Sequence, residues 1–179
     1  MENNFKNNRE KKTKTGHKLE IVNRILSLCF FGYILLIIKM IIFKYSFTYM
    51  LNTLDNWKPD QILQGIQTAN FIPFTTIKMY IKYYPKLNSF ENLFGNILVF
   101  IPFGVLFPLV SRIGRKWYLF LLVSLAFILG IEVFQLFTGC GAFDVDDIIL
   151  NCLGALTGFL IFQVFSIIKR KLKAWREKH

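Results

Sequence analysis

Four long stretches of the chain are almost free of charged side chains, and this pattern constrains the fold more than any other feature. They cover residues 25–43, 93–110, 117–137 and 148–168. About 20 apolar residues, each rising 1.5 Å along a helix, cover the roughly 30 Å hydrocarbon core of a bilayer. A soluble four-helix bundle would need a polar stripe along each helix, and none of these stretches has one. The sequence therefore predicts an all-α membrane protein with four transmembrane helices.

The basic residues are unevenly distributed between the four stretches. The chain has 22 Lys and Arg against 11 Asp and Glu, a net charge of +11. Most of the basic residues lie in residues 1–24, 111–116 and 169–179, whereas residues 138–147 have none. Because Lys and Arg are retained on the cytoplasmic side, both termini are predicted to be cytoplasmic. Topology and attraction to anionic lipid head groups then explain the net charge without a nucleic-acid partner.

This topology predicts the organisation of the chain. Residues 1–24 form a basic cytoplasmic tail, residues 25–168 the transmembrane domain, and residues 169–179 a second basic tail. The first apolar stretch is too long for a signal peptide, and no small-residue cleavage site follows it. Residues 44–91 form an extracellular loop in which aromatic residues are mixed with lysine, a composition that suits short helices on the membrane surface. The three cysteines, Cys29, Cys140 and Cys152, are expected to be packing residues and not a structural disulfide.

The polar residues in and beside the spans are predicted to lie at one depth. Glu132 precedes the outer end of its span by five residues, or about 7 to 8 Å at helical rise. A carboxyl group at that depth is costly when it faces lipid, so it is expected to face protein or water. The sequence therefore predicts an outward-opening polar pocket with Lys39 and Lys44 as counter-ions, formed by Asn96, Glu132, Gln135, Asp144, Asp147 and Asn151.

Each of these residues also has a structural interpretation. The aspartates that precede the fourth span could cap a helix N-terminus and interact with its dipole. Asn151 and Gln135 could form hydrogen bonds between helices. Lys39 could extend to the outer head groups. Glu132 is the residue for which a functional role is most strongly indicated, because an ionisable group inside a span is expensive.

Glycine and proline positions predict how the helices pack. Asp147, Asn151, Gly154 and Gly158 share one face of the fourth helix. The small residues on that face favour close packing against a neighbouring helix. Pro102 lies in the middle of the second span and predicts a kink, because proline removes a backbone hydrogen bond.

Several motifs, in order along the chain, resemble those of the VanZ-like family of bacterial membrane proteins. They are NFIPF at residues 70–74, NILVFIPFG at 96–104, EVFQ at 132–135 and DVDDIILNCLGALTG at 144–158, together with Phe43-Lys44 at the end of the first span. The resemblance implies a multi-pass protein of Gram-positive-type bacteria, in a family whose namesake is associated with low-level teicoplanin resistance. It also implies that the six pocket residues are the family's characteristic polar positions. Many members have an arginine shortly before the first aspartate, where this chain has residues 139–143 without one.

Three functions remain open from the sequence. The first is binding of a membrane lipid, a lipid-linked cell-wall precursor or a lipidated glycopeptide drug at the outer leaflet. The second is an enzyme that acts on an amphiphile, either through carboxyl acid–base chemistry or through a divalent cation held at the acidic cluster, and no other cofactor is expected. The third is a small ion or proton transporter that uses Glu132 and Lys39. Catalysis by a Ser/His/Asp triad is disfavoured, since the histidines, His17 and His179, lie in the tails.

Overall fold

A computed structural model describes residues 2–42, 48, 51–52, 55–83, 89–139 and 141–178 of the chain. This part of the chain is helical, apart from connecting turns and one isolated β-bridge. The helices are α1 (Glu2–Ile42), α2 (Asp60–Thr68), α3 (Thr75–Lys82), α4 (Ser89–Val110), α5 (Trp117–Thr138) and α6 (Val145–Arg176), with a 3-10 turn at Ile113–Arg115.

The prediction of four membrane helices is confirmed. α1, α4, α5 and α6 are each long and apolar enough to cross a bilayer. The largest extensions beyond the predicted spans are at two places: the candidate span in α1 starts at Gly16, and α6 continues to Arg176. The reason is that the basic segments flanking the apolar stretches contain good helix formers and no proline, so the helices continue through them.

Two short helices, α2 and α3, precede α4. α2 and α3 are nine and eight residues long. α2 packs on the C-terminal end of α5, where Gly65 approaches the carbonyl oxygen of Leu136, and the indole Nε1 of Trp57 donates to the carbonyl of Phe137 over 2.9 Å. The loop therefore covers the end of the bundle at which α5 ends and α6 begins.

Phenylalanine rings fill the interior between the four long helices. The rings of Phe120 and Phe159 stack with centroids 4.4 Å apart, and those of Phe103 and Phe127 stack at 5.4 Å. α1 joins this core through Ile37, which is fully buried. Offset aromatic pairs of this kind add about 0.5–1.5 kcal/mol each beyond the area they bury.

The close helix packing expected from the glycines is observed between α4 and α6. A Cβ atom added to Gly154 would lie 2.1 Å from the carbonyl oxygen of Ile97, and one added to Gly158 would lie 2.0 Å from that of Ile101. A Cβ atom added to Gly104 of α4 would lie 2.1 Å from the carbonyl oxygen of Ala155. The two backbones touch along this line, which fixes α6 against α4 below the polar end of the bundle.

Tyr33 of α1 forms hydrogen bonds with α4 where Pro102 interrupts the backbone hydrogen bonds of that helix. The Tyr33 hydroxyl donates to the carbonyl oxygen of Val99 and accepts from the N–H of Phe103 over 3.2 Å. These two backbone groups are four residues apart and flank Pro102. α4 continues through Pro102 as a helix, with the hydroxyl inserted beside the missing N–H.

Candidate functional site

A cavity of about 220 Å³ opens between the long helices at the end covered by the loop. It lies where α4 and α6 begin, α5 approaches its end, and α1 contributes one side chain. The lining residues are Met40, Glu91, Asn92, Gly95, Asn96, Val99, Phe100, Ile131, Glu132, Gln135, Asp147 and Asn151. Polar side chains thus form one part of the wall and apolar side chains the other.

The structure brings five of the six predicted pocket residues to this one cavity: Asn96, Glu132, Gln135, Asp147 and Asn151. The sixth, Asp144, does not line it. Its backbone N–H instead donates to Oε2 of Glu132 over 3.1 Å, just behind the cavity wall. Five of the six residues lie in α4, α5 and α6, and Asp144 is the N-cap of α6. They are adjacent because α5 ends at the depth at which α4 and α6 begin.

Two carboxyl groups of the cavity, those of Glu132 and Asp147, are held by hydrogen bonds from neighbouring elements. Glu132 is only 2% exposed, so its side chain does not face lipid. Asp147 accepts from Nδ2 of Asn96 over 2.5 Å, which joins α6 to α4 across the cavity. Both acids are therefore fixed in orientation.

Asn151 has a buried side-chain oxygen that no hydrogen bond satisfies. Its side chain is 4% exposed, and its buried Oδ1 atom has no hydrogen-bond partner in the structure. A buried polar atom without a partner costs about 1–3 kcal/mol. Asn151 lines the cavity one helical turn after Asp147, so a donor bound in the cavity would satisfy it.

The described lining of the cavity is acidic. Three carboxyl side chains, Glu91, Glu132 and Asp147, line it, and none of the described lining residues is Lys, Arg or His. Lys39, predicted as a counter-ion, is exposed and does not line the cavity. The ion pairs between described residues are Arg24–Glu20 and Lys173–Glu177, both at other sites. Lys44, the other predicted counter-ion, lies outside the described residues.

Asp146, beside the cavity, holds the loop on the bundle. Its side chain is fully buried and accepts from the backbone N–H groups of Phe74, Thr76 and Ile77 at 2.5, 2.8 and 3.1 Å. These are the N–H groups at the start of α3, which lack partners inside their own helix. Phe74 precedes α3 in the left-handed region with φ of 67°, a strained conformation for a phenylalanine that this anchoring compensates.

A second hydrogen-bond network, around Asp144, joins the loop to the start of α6. Asp144 accepts from Nδ2 of Asn70 over 2.8 Å and from the hydroxyl of Thr76 over 2.6 Å, and it caps α6 by accepting from the N–H of Asp146. Backbone bonds between Asn70 and both Phe143 and Val145 complete a short parallel bridge. The structural interpretation of Asp144 as a helix cap is therefore correct, and the cap also binds the loop.

α3 places Tyr80 near the acids at the start of α6. Burial raises the pKa of the Tyr80 hydroxyl, and the negative charges of Asp147 and Asp144 raise it further. Both effects disfavour the phenolate, so Tyr80 is held in its neutral, hydrogen-bonding form.

The carboxylates of Asp144 and Asp146 accept hydrogen bonds from other groups of the protein. Among the described residues no group of three or more His, Cys, Asp or Glu is arranged to hold a metal ion. The reason is local: Asp146 is occupied by three backbone N–H groups, and Asp144 by Asn70, Thr76 and the N–H of Asp146. The described cysteines, Cys29 and Cys152, are free.

Sequence reasoning missed several residues of this region. Glu91, Gly95 and Met40 line the cavity without having been predicted. Glu91 could have been found as an acid next to Asn92, just before the second predicted span. The role of Asp146 had no such signal, because it depends on how the loop folds back.

Comparison with known proteins gives two matches. A model of the VanZ/LLP1 family matches residues 30–166 of the chain. A curated relative, Protein VanZ of Enterococcus faecium, is 27% identical over 133 residues, which cover 73% of this chain and 68% of that protein. No solved structure matches the chain.

Proposed function

This chain belongs to the VanZ/LLP1 family, and on that premise we propose that it binds the polar head of an amphiphile in the cavity and thereby contributes to teicoplanin-type glycopeptide resistance. The family resemblance supplies the link to resistance. The cavity supplies the binding step.

The single observation that carries the proposal is Asn151. Its Oδ1 atom is buried without a partner in a cavity that carboxylates and amides surround. Carboxylates only accept hydrogen bonds, and the Oδ1 atom of Asn151 adds an unsatisfied acceptor to this wall. A ligand that brings several donors, such as a hydroxylated sugar or an ammonium group, matches it.

The size of the cavity limits what enters it. A volume of about 220 Å³ is below the range of about 300–1,000 Å³ typical of pockets that enclose a whole drug-sized ligand. The cavity therefore takes one head group, while the acyl chains of the ligand stay in the bilayer. A lipid, a lipid-linked cell-wall precursor and a lipidated glycopeptide share this division into a donor-rich head and an apolar tail.

The proposal places the cavity on the outer side of the membrane, with both termini in the cytoplasm. The distribution of Lys and Arg supports this orientation. Single cysteines at Lys58 and Lys171, introduced into a chain without its three native cysteines, test it. A membrane-impermeant maleimide should label the Lys58→Cys variant in intact cells and the Lys171→Cys variant only after permeabilisation. The reverse pattern would refute the orientation.

The binding role is tested in a glycopeptide-sensitive Gram-positive-type host that expresses the chain. Glu132→Gln and Asp147→Asn each keep the size of the side chain and remove its charge. Both variants should lose the increase in teicoplanin resistance while their amounts in the membrane stay at the wild-type level.

Asp60→Asn is the matched control, because Asp60 is an exposed acid on α2 that does not line the cavity. This variant should keep full resistance. If Glu132→Gln and Asp147→Asn remained resistant at normal protein level, the proposal would be abandoned.

An enzyme acting on an amphiphile is the second candidate, because Glu132 and Asp147 line the same cavity and two carboxyl groups can act as acid and base. Purified protein incubated with membrane lipids distinguishes the two. A lipid product made by the wild type and not by Glu132→Gln would favour the enzyme.

A further inference from the structure

We propose a second lipid site at the opposite end of the bundle, which binds the phosphate of an anionic membrane lipid. A groove of about 620 Å³ lies there between the end of α4, the 3-10 turn and α6. Its lining residues are Leu109, Arg115, Phe162, Gln163, Phe165, Ser166, Lys169, Arg170 and Lys173.

The position of the groove along α6 matches the second face of the bilayer. Lys169 follows Asp147 by 22 residues, or about 33 Å at helical rise, against a hydrocarbon core of about 30 Å. With Asp147 beneath one layer of head groups, Lys169 therefore lies at the other. This placement requires that α6 spans the membrane and does not depend on which side is the cytoplasm.

The groove is strongly cationic. Of the described lining side chains, four are basic and none is acidic. Lys173 is partly neutralised by Glu177, whose Oε1 lies 3.7 Å from its Nζ on the exposed surface. Lys169, Arg170 and Arg115 form no ion pair with another described residue.

Arg115 is held in place at the mouth of the groove. Its Nε donates over 3.0 Å to the carbonyl oxygen of Pro108, one of the last carbonyls of α4. This bond orients the guanidinium and leaves its two terminal nitrogens to donate elsewhere. A planar donor pair of this kind suits the oxygens of a phosphate group.

The apolar part of the groove indicates a lipid and not a soluble phosphate compound. Phe162, Phe165 and Leu109 lie on the side of the groove toward the membrane interior, and Phe165 is 67% exposed. Acyl chains attached to a bound phosphate would cover these side chains. Basic grooves next to spanning helices are suited to anionic head groups for this reason.

The full chain, purified in detergent and mixed with equal amounts of phosphatidylglycerol and phosphatidylcholine, tests the proposal by native mass spectrometry. The wild type should carry phosphatidylglycerol in about tenfold excess over phosphatidylcholine, as expected for several basic residues acting on one anionic head group. Lys169→Gln combined with Arg170→Gln should reduce this preference to near one.

Lys171→Gln combined with Arg176→Gln is the matched control, because it removes the same charge from α6 outside the groove lining. This variant should keep most of the preference. Equal loss in both double variants would overturn the proposal, as would equal binding of the two lipids by the wild type. Displacement of the lipid by millimolar glycerol phosphate would also overturn it, since the apolar contacts would then contribute nothing.

Discussion

Asn96 of α4 donates from Nδ2 to Oδ1 of Asp147 on α6 across 2.5 Å, at the edge of the polar cavity. This bond joins the two helices whose backbones touch through Gly104, Gly154 and Gly158 on the same side of the bundle. Glycine packing and the polar pair thus set the spacing of α4 and α6. That spacing determines the width of the cavity. Substitutions can separate the residues that stabilise the fold from those that bind a ligand.

Asn151→Leu should separate stability from function. Leucine has a similar volume and removes a buried acceptor that has no partner, so the free energy of unfolding should rise by about 1 kcal/mol. Teicoplanin resistance should be lost, because the ligand loses its contact with Oδ1. Thermal unfolding of the purified protein and susceptibility of the host measure the two effects. Retained resistance would mean that Asn151 takes no part in binding.

Asp146→Asn should destabilise the attachment of the loop. The asparagine amide can accept only through one oxygen, and its Nδ2 would face an N–H donor, so at least one of the three bonds is lost. We expect a loss of about 2–3 kcal/mol in the free energy of unfolding. Limited proteolysis should also cut near Phe74 faster. In Asp60→Asn, which removes an exposed acid from the first turn of α2, the loss should stay below about 1 kcal/mol.

Gly158→Leu should disrupt the contact between α4 and α6. The new side chain would collide with backbone atoms of Ile101 and Gly104 that cannot move without separating the helices. The expected destabilisation is about 3 kcal/mol, visible as a lower melting temperature of the purified protein. Gly130→Leu is the matched control, because nothing lies within 4 Å of a Cβ atom added there. Equal melting temperatures for the two variants would contradict the packing described for α6.

Tyr80 should make the fold sensitive to alkaline pH. Its pKa is raised in the folded state, so the folded protein retains the hydroxyl proton at a pH where the unfolded chain has lost it. The stabilisation from this residue is complete below its unfolded pKa of about 10 and is lost as pH rises above that value. In Tyr80→Phe, the melting temperature should fall less steeply between about pH 9.5 and 11 than in the wild type. Parallel curves would show that Tyr80 does not titrate in this way.

The four spans could be predicted from sequence because each depends on the local density of apolar residues. The common depth of the polar residues could be predicted for a related reason. Glu132 inside an apolar span must face protein, and helical rise gives its depth. Lys39 could not be placed this way, because it has a long side chain near a helix end and its direction depends on the packing of α1. The hydrogen bonds of Asp146 to the start of α3 depend on how the loop folds back onto α6. The spacing of apolar residues along the sequence does not predict that contact.

Gly95→Leu tests the central claim most directly. Gly95 lines the cavity, and nothing lies within 4 Å of a Cβ atom added there, so a leucine occupies space at the cavity without colliding with the backbone. The measurement is the teicoplanin resistance of a host expressing this variant or Gly130→Leu, at equal amounts of protein in the membrane. Loss of resistance in Gly95→Leu with full resistance in Gly130→Leu is the predicted result. Wild-type resistance in Gly95→Leu would contradict the claim that the cavity is where the protein binds its ligand.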